Sequence, residues 1–148
     1  KIMLYNEHTG KRVKEPYNHI NWLHKAIKKP DFNLYPCLFG LHLINEDYQK
    51  NIAIVESEKT AIILSLILPE FIWLATGGSG NFKFELLEPI KKRKCFAYPD
   101  KGEFKKWNRT AKELKEKGFK IAVSDLLEQT EFSNGFDLAD YYFNQSKS

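Results

Sequence analysis

From residue 51 onward, short apolar runs alternate with helix-patterned stretches, and this alternation constrains the fold more than any other feature. The run "IAIV" (52–55) is β-branched and uninterrupted by polar residues. "FIWLAT" (71–76), "KCFAY" (94–98) and "FKIAV" (119–123) follow at similar intervals. A strand with one wet face alternates apolar with polar, whereas a strand covered on both faces does not need to. The pattern therefore predicts an α/β fold of Rossmann-like type, with a central parallel four-stranded sheet and helices on both faces.

The intervening segments fit that reading. "EKTAIILSLIL" (58–68) has helical spacing and stops at Pro69. "FKFELLEPIKK" (82–92) predicts a short helix disturbed by Pro89. In "EFKKWNRTAKELKEKG" (103–118), Phe104, Trp107, Ala111 and Leu114 share one face, and Gly118 stands where a helix cap belongs. That spacing makes Trp107 a core residue. "FDLADYYFNQ" (136–145) predicts a last helix. Ahead of the sheet, "EPYNHINWLHKAIKKPDF" (15–32) predicts a helix with Ile20, Leu23 and Ile27 on one face. The chain thus divides into a small N-terminal α+β extension (1–50) and the α/β domain (51–148).

A chain of 148 residues, 43% hydrophobic and 14% aromatic, can bury a core and is not of disordered type. The net charge of +4 permits a polyanionic partner without demanding one. No apolar run is long enough to span a bilayer, and the expected location is cytoplasmic. The chain begins at Lys1 and reads as a piece of a longer protein. Cys37 and Cys95 sit among apolar residues and read as buried free thiols. His19 and His24 have no cysteine pair beside them to make a zinc site.

In parallel sheets the site lies at the carboxyl ends of the strands. The first run ends in Glu56, and the second in Gly77, Gly78 and Gly80. The third ends in "YPDKGE", with Asp100 and Glu103, and Asp137 and Asp140 follow the fourth. Carboxylates gathered on one edge repel, and a hard cation such as magnesium or manganese relieves that repulsion. Each residue also has a plainer reading. Glu56 suits a helix N-terminus, Asp100 a "PDKG" turn, and Asp137 and Asp140 a helix cap and first turn. "TGGSGN" could cradle phosphate on backbone N–H groups or be a tight turn, and it lacks the Walker lysine. Ser57 is expected to cap the helix that follows it, and Lys59 to meet either phosphate or solvent.

"IAIVESEKTA", "LATGGSGN", "CFAYPDKGEF" and "FDLADYY", in that order, resemble the Toprim domain of primases, topoisomerases and related nucleases. Upstream, "LFGLHLINEDYQKNIAIVESEKTA" is similar to the stretch leading into the Toprim glutamate of bacterial primases. "KIMLYNEHTGKRVKEP" is similar to the strand-and-turn region before it. The likeness is closest to primase-like proteins of mobile elements and phages. It implies Glu56 as catalytic acid, base or ligand, and Mg2+ or Mn2+ held by Asp100, Glu103, Asp137 and Asp140. It also implies DNA or RNA and nucleoside triphosphates as partners, other domains of a longer replication protein, and nucleotidyl or phosphoryl transfer in primer synthesis. The sequence departs from the family at Ser57 (often Gly), Thr60 (sometimes Asp) and Gly102, where the family carries a second Asp and Glu103 could substitute.

The departure at Gly102 keeps a second reading open: a non-catalytic nucleic-acid-binding Toprim module. A Toprim nuclease is a third. Candidate phosphate or nucleic-acid contacts are Lys11, Arg12 and Lys14, next to Tyr5, together with Lys59, Gly77 and Gly78.

Overall fold

The computed structural model describes residues 1–145, which fall into two compact units, Lys1–Tyr35 and the residues from Pro36 on. In the first unit, β1 (Ile2–Met3) and β2 (Ile20–Asn21) pair antiparallel. Tyr5 bridges Arg12 across a turn, in which Asn6 Oδ1 accepts the N–H groups of His8 (3.0 Å) and Thr9 (2.9 Å). A helix follows only as α1 (Leu23–Ala26).

The helix expected over residues 15–32 is therefore corrected to a strand and a single turn. The apolar spacing was real, but it has nothing to pack on: Leu23 is 59% exposed and Ile27 61%. An isolated amphipathic stretch without a buried face does not sustain a helix. Local chemistry also opposes one. Asn21 Oδ1 takes the Trp22 N–H at 2.7 Å, Lys28 adopts φ +51°, and Pro30 follows.

In the second unit the predicted alternation is present. The order is β3 (Asn51–Val55), α2 (Glu58–Ile67), β4 (Phe71–Ala75), α3 (Phe84–Leu87), β5 (Lys94–Ala97), α4 (Phe104–Glu116), β6 (Lys120–Val123) and α5 (Leu138–Gln145). The strands form one all-parallel sheet in the order β4-β3-β5-β6, with Ile54 opposite both Leu74 and Ala97. After β4 the chain crosses to the other side of β3, so the order reverses between β3 and β5. A crevice opens at the carboxyl ends of the strands at such a point.

Side chains alternate between the two faces, and both are covered. Ile52, Ile54, Ile72 and Leu74 pack with Leu86, Leu87, Trp107, Ala111 and Leu114. Ala53, Val55, Trp73 and Ala75 pack with Ala61, Leu64 and Leu138. Each fully buried large apolar side chain contributes about 1.5–3 kcal/mol, which is why β3 from Ile52 on and all of β4 are continuous hydrocarbon. Trp107 is fully buried and stacks on Phe82 with ring centres 4.2 Å apart, the core role its spacing predicted. Helix α3 gives way at Pro89 to a 3₁₀ turn, and Gly118, at φ +89°, follows the end of α4.

Residues 36–50 pack in this unit. Phe39 and Ala75 exchange backbone hydrogen bonds (2.9 and 3.2 Å) at the end of β4. Gly40, at φ +78°, lies so close to the Trp73 carbonyl that a Cβ would stand 2.8 Å from it. Arg93 Nη1 donates to the Ile44 carbonyl (2.6 Å), and its Nη2 to those of Asp47 (2.9 Å) and Lys50 (2.7 Å). Cys95 is buried, and burial pushes its thiol up to about 12. Cys37 is exposed, a correction to the expectation that both thiols are buried; its apolar neighbour Leu38 turns inward instead. No helix among the described residues is long and apolar enough to cross a membrane.

Candidate active site

The end of β3 is fixed to the glycine turn after β4. The Thr76 N–H donates to the Val55 carbonyl (3.0 Å) and the Gly77 N–H to that of Glu56 (2.8 Å). Glu56 is thereby held half-buried at the crevice. Gly77 takes φ +73°, and a Cβ there would meet Glu58 Oε1 at 3.0 Å. Its amide is committed to Glu56, not turned outward as a phosphate donor. The rest of the turn is braced from within: Asn81 Nδ2 donates to the Thr76 carbonyl (3.0 Å) and Thr76 Oγ1 to that of Gly78 (3.0 Å). Trp107 Nε1 reaches the Ser79 carbonyl at 3.2 Å.

Asp100 follows β5, across the switch point from β3. The "PDKG" turn forms, with the Glu103 N–H on the Asp100 carbonyl at 3.0 Å and Gly102 at φ +96°. Turn residue and site residue are thus one role. Neighbouring groups lock the loop. Gly102 N–H donates to Glu128 Oε1 at 2.7 Å, and Lys101 Nζ donates to the carbonyls of Leu127, Glu128 and Thr130. Lys101 N–H bonds the Phe136 carbonyl, and Gly135 N–H the Lys101 carbonyl, both at 2.9 Å. This lacing brings the start of α5 beside Asp100.

The carboxyl of Asp100 is pushed up to about 8, first by burial, then by the negative charges of Glu56, Asp137 and Asp140, with Lys59 opposing. Four of the sequence-predicted acids, from three strand ends, therefore share one electrostatic neighbourhood. Glu103 is not in it; it starts α4 and pairs with Lys106 at 3.2 Å. Lys11, Arg12 and Lys14 belong to the first unit, where Arg12 Nη1 lies 3.9 Å from Met3 Sδ.

Asp137 is buried, and both its oxygens are engaged. Oδ1 accepts the Asp140 N–H (2.9 Å), the bond of a helix cap. Oδ2 accepts the Thr60 hydroxyl (2.8 Å), with Lys59 Nζ at 3.5 Å. Sequence reasoning noticed Thr60 only as a departure from a family pattern. Its signal was a polar side chain inside the apolar face of α2. Glu128 carried no local signal at all. Ser57 does occupy the N-cap position of α2, but its hydroxyl makes no cap bond, so that expectation holds for place and not for function. Among the described residues no three His, Cys, Asp or Glu side chains are grouped to hold a metal ion as they stand.

Fold and site together define an α/β protein with a doubly wound parallel sheet and a carboxylate cluster at its switch point. The chain belongs to the family described as Domain of unknown function (DUF6371), whose model matches residues 1–101. The match takes in Glu56, the glycine turn and Asp100, and stops before Asp137 and Asp140. No curated protein and no solved structure matches the chain.

Proposed function

We propose that this chain is a Toprim-type protein of the DNA-primase kind, carrying out divalent-metal-dependent nucleotidyl or phosphoryl transfer on nucleic acid. One observation carries the reading: Asp100 is half-buried at the switch point among the charges of Glu56, Asp137 and Asp140. Such a carboxyl is costly to ionise without a counter-charge, and the neighbouring carboxylates of Glu56, Asp137 and Asp140 suit a hard cation. Asp100 and Asp140 are the side chains that would hold it, with Glu56 beside them, and Mg2+ or Mn2+ bound there would neutralise phosphate charge. Asp137, already engaged by Thr60 and the Asp140 amide, positions α5. In this reading Glu56, which follows β3 at the sheet edge, would accept a proton from an attacking hydroxyl. Lys59, 38% exposed beside the acids, can meet a phosphate oxygen.

Isothermal titration of Mg2+ and Mn2+ into the whole chain tests this. A saturable site in the low millimolar range or tighter, lost in Asp100→Ala, is expected. Absence of any saturable site in the unaltered protein would sink the reading. Primer synthesis on a single-stranded template, abolished by Glu56→Gln, would then separate catalysis from binding.

Gly102 favours a second reading, a nucleic-acid-binding module without catalysis. Its φ is +96°, a conformation strained for any side chain, and a Cβ at this position would stand 3.1 Å from the Asn134 side chain, which disfavours the second acid of a Toprim site. Metal binding without any transfer or cleavage of nucleic acid would decide for it.

A further inference from the structure

The chain's charge is divided unevenly. Residues 1–35 carry seven Lys and Arg against three Asp and Glu, while residues 36–148 carry sixteen of each. The whole excess of +4 therefore resides in the first unit. None of residues 1–35 is buried. Units below about 40 residues rarely make a core of their own, and the rings of this one are not hidden in one. Tyr17 is 64% exposed, Phe32 44% and Tyr35 85%. His24 and Phe32 stack, 4.9 Å apart and 14° from parallel. Around them opens a cleft of ≈ 410 Å³, lined by His24, Lys25, Lys28, Lys29, Pro30 and Phe32.

We infer that the Lys1–Tyr35 unit holds a binding site for single-stranded nucleic acid, with the His24–Phe32 pair as base-stacking platform and Lys25, Lys28 and Lys29 as phosphate contacts. Bases stack on aromatic faces whatever their sequence, and lysines along the backbone supply the salt-sensitive part of binding. A duplex hides its base faces, and reading its major groove takes a helix or ribbon that the four-residue α1 cannot supply. Lying in a membrane interface takes an amphipathic helix with a continuous apolar face, which the four-residue α1 does not supply. The site uses none of the carboxylates at the sheet edge, so it stands whether or not they bind metal.

The test is fluorescence anisotropy of the whole chain with a labelled oligothymidylate on the order of 20 nucleotides long, a length that covers several stacking positions. Expected is binding whose log affinity falls with log salt at a slope of about −2 to −3, as three or four phosphate contacts require. Lys25→Glu/Lys28→Glu/Lys29→Glu is expected to lose about tenfold or more and to flatten the slope. Phe32→Leu, which keeps apolar bulk without a ring, should lose about fivefold or more, and Phe32→Trp should restore binding. The charge-matched Lys91→Glu/Lys92→Glu/Lys94→Glu in the second unit should bind as the parent does. Metal titration of the same proteins reads the sheet-edge site separately. Unchanged affinity in the Lys25/Lys28/Lys29 variant overturns the inference. So does equal loss in the control variant, indifference to Phe32→Leu, or equally tight binding to anionic phosphatidylserine vesicles or to duplex.

Discussion

Thr60 and Asp137 stand 77 positions apart in the chain, and the hydroxyl of one donates to the carboxylate of the other at 2.8 Å with both buried. This bond joins the first turn of α2 to the start of α5 on the same face of the sheet. It decides which way Asp137 points, and so how closely α5 brings Asp140 to Asp100. Removing the hydroxyl leaves a buried carboxylate short of a donor, a loss of about 1–3 kcal/mol. Thr60→Val, nearly the same volume, should lower stability to urea by that amount, while Thr60→Ser should retain most of it. A Thr60→Val midpoint equal to the parent's would refute the role.

Asp100 sets a pH dependence of known sign. Its carboxyl is raised from 3.8 to about 8 on folding, so between those values the folded chain binds a proton that the unfolded chain releases. The group's contribution to stability is full below about pH 4, falls as pH rises toward about 8, and is flat beyond. Asp100→Asn, uncharged throughout, removes this slope. In chelator, the variant should melt above the parent at pH 8 and lose that advantage by pH 5. Melting curves that run parallel across this range would contradict the placement of Asp100.

Restoring the missing acid at position 102 should fail. A side chain there meets φ +96° and the Asn134 carboxamide at 3.1 Å. Gly102→Asp should therefore cost about 1–3 kcal/mol, measured by chemical denaturation, and should not tighten Mg2+ binding. A stable Gly102→Asp protein with tighter metal affinity would show that the loop tolerates the full acidic motif.

Arg93 cannot be exchanged for lysine without loss. One planar guanidinium takes three carbonyls, from Ile44, Asp47 and Lys50, and lies 4.8 Å from the Tyr48 ring centre. A single ammonium on a shorter, flexible arm cannot reproduce that fork. Arg93→Lys should destabilise by about 1–3 kcal/mol, read as a lower denaturation midpoint, with hydrogen-exchange protection falling first in residues 41–50.

The sheet was legible because β3 and β4 are buried on both faces, so the run "IAIV" needs no partner to declare itself. The positions of Glu56 and Asp100 followed from the parallel arrangement alone, since a parallel sheet sends its strand ends to one edge, whereas Asp137 and Asp140 reach that edge only through the loop laced to Lys101. What holds those acids was not legible. Thr60, Glu128 and Lys101 act on residues 26 to 77 positions away, and no local pattern encodes such distances. Residues 15–32 misled for the opposite reason. Ile20, Leu23 and Ile27 have helical spacing, but spacing predicts a helix only where another surface buries it, and here Leu23 and Ile27 stay in water.

The Phe39–Ala75 bridge and the Arg93 fork also say how the molecule comes apart. A truncation that began at residue 51 would strip the cover from the end of β4 and leave a guanidinium with no carbonyls to hold. One that began at residue 36 would keep both, and would carry as many acidic as basic side chains. The seam that a protease or a cloning boundary should respect lies at Tyr35, sixteen residues ahead of the first strand of the sheet.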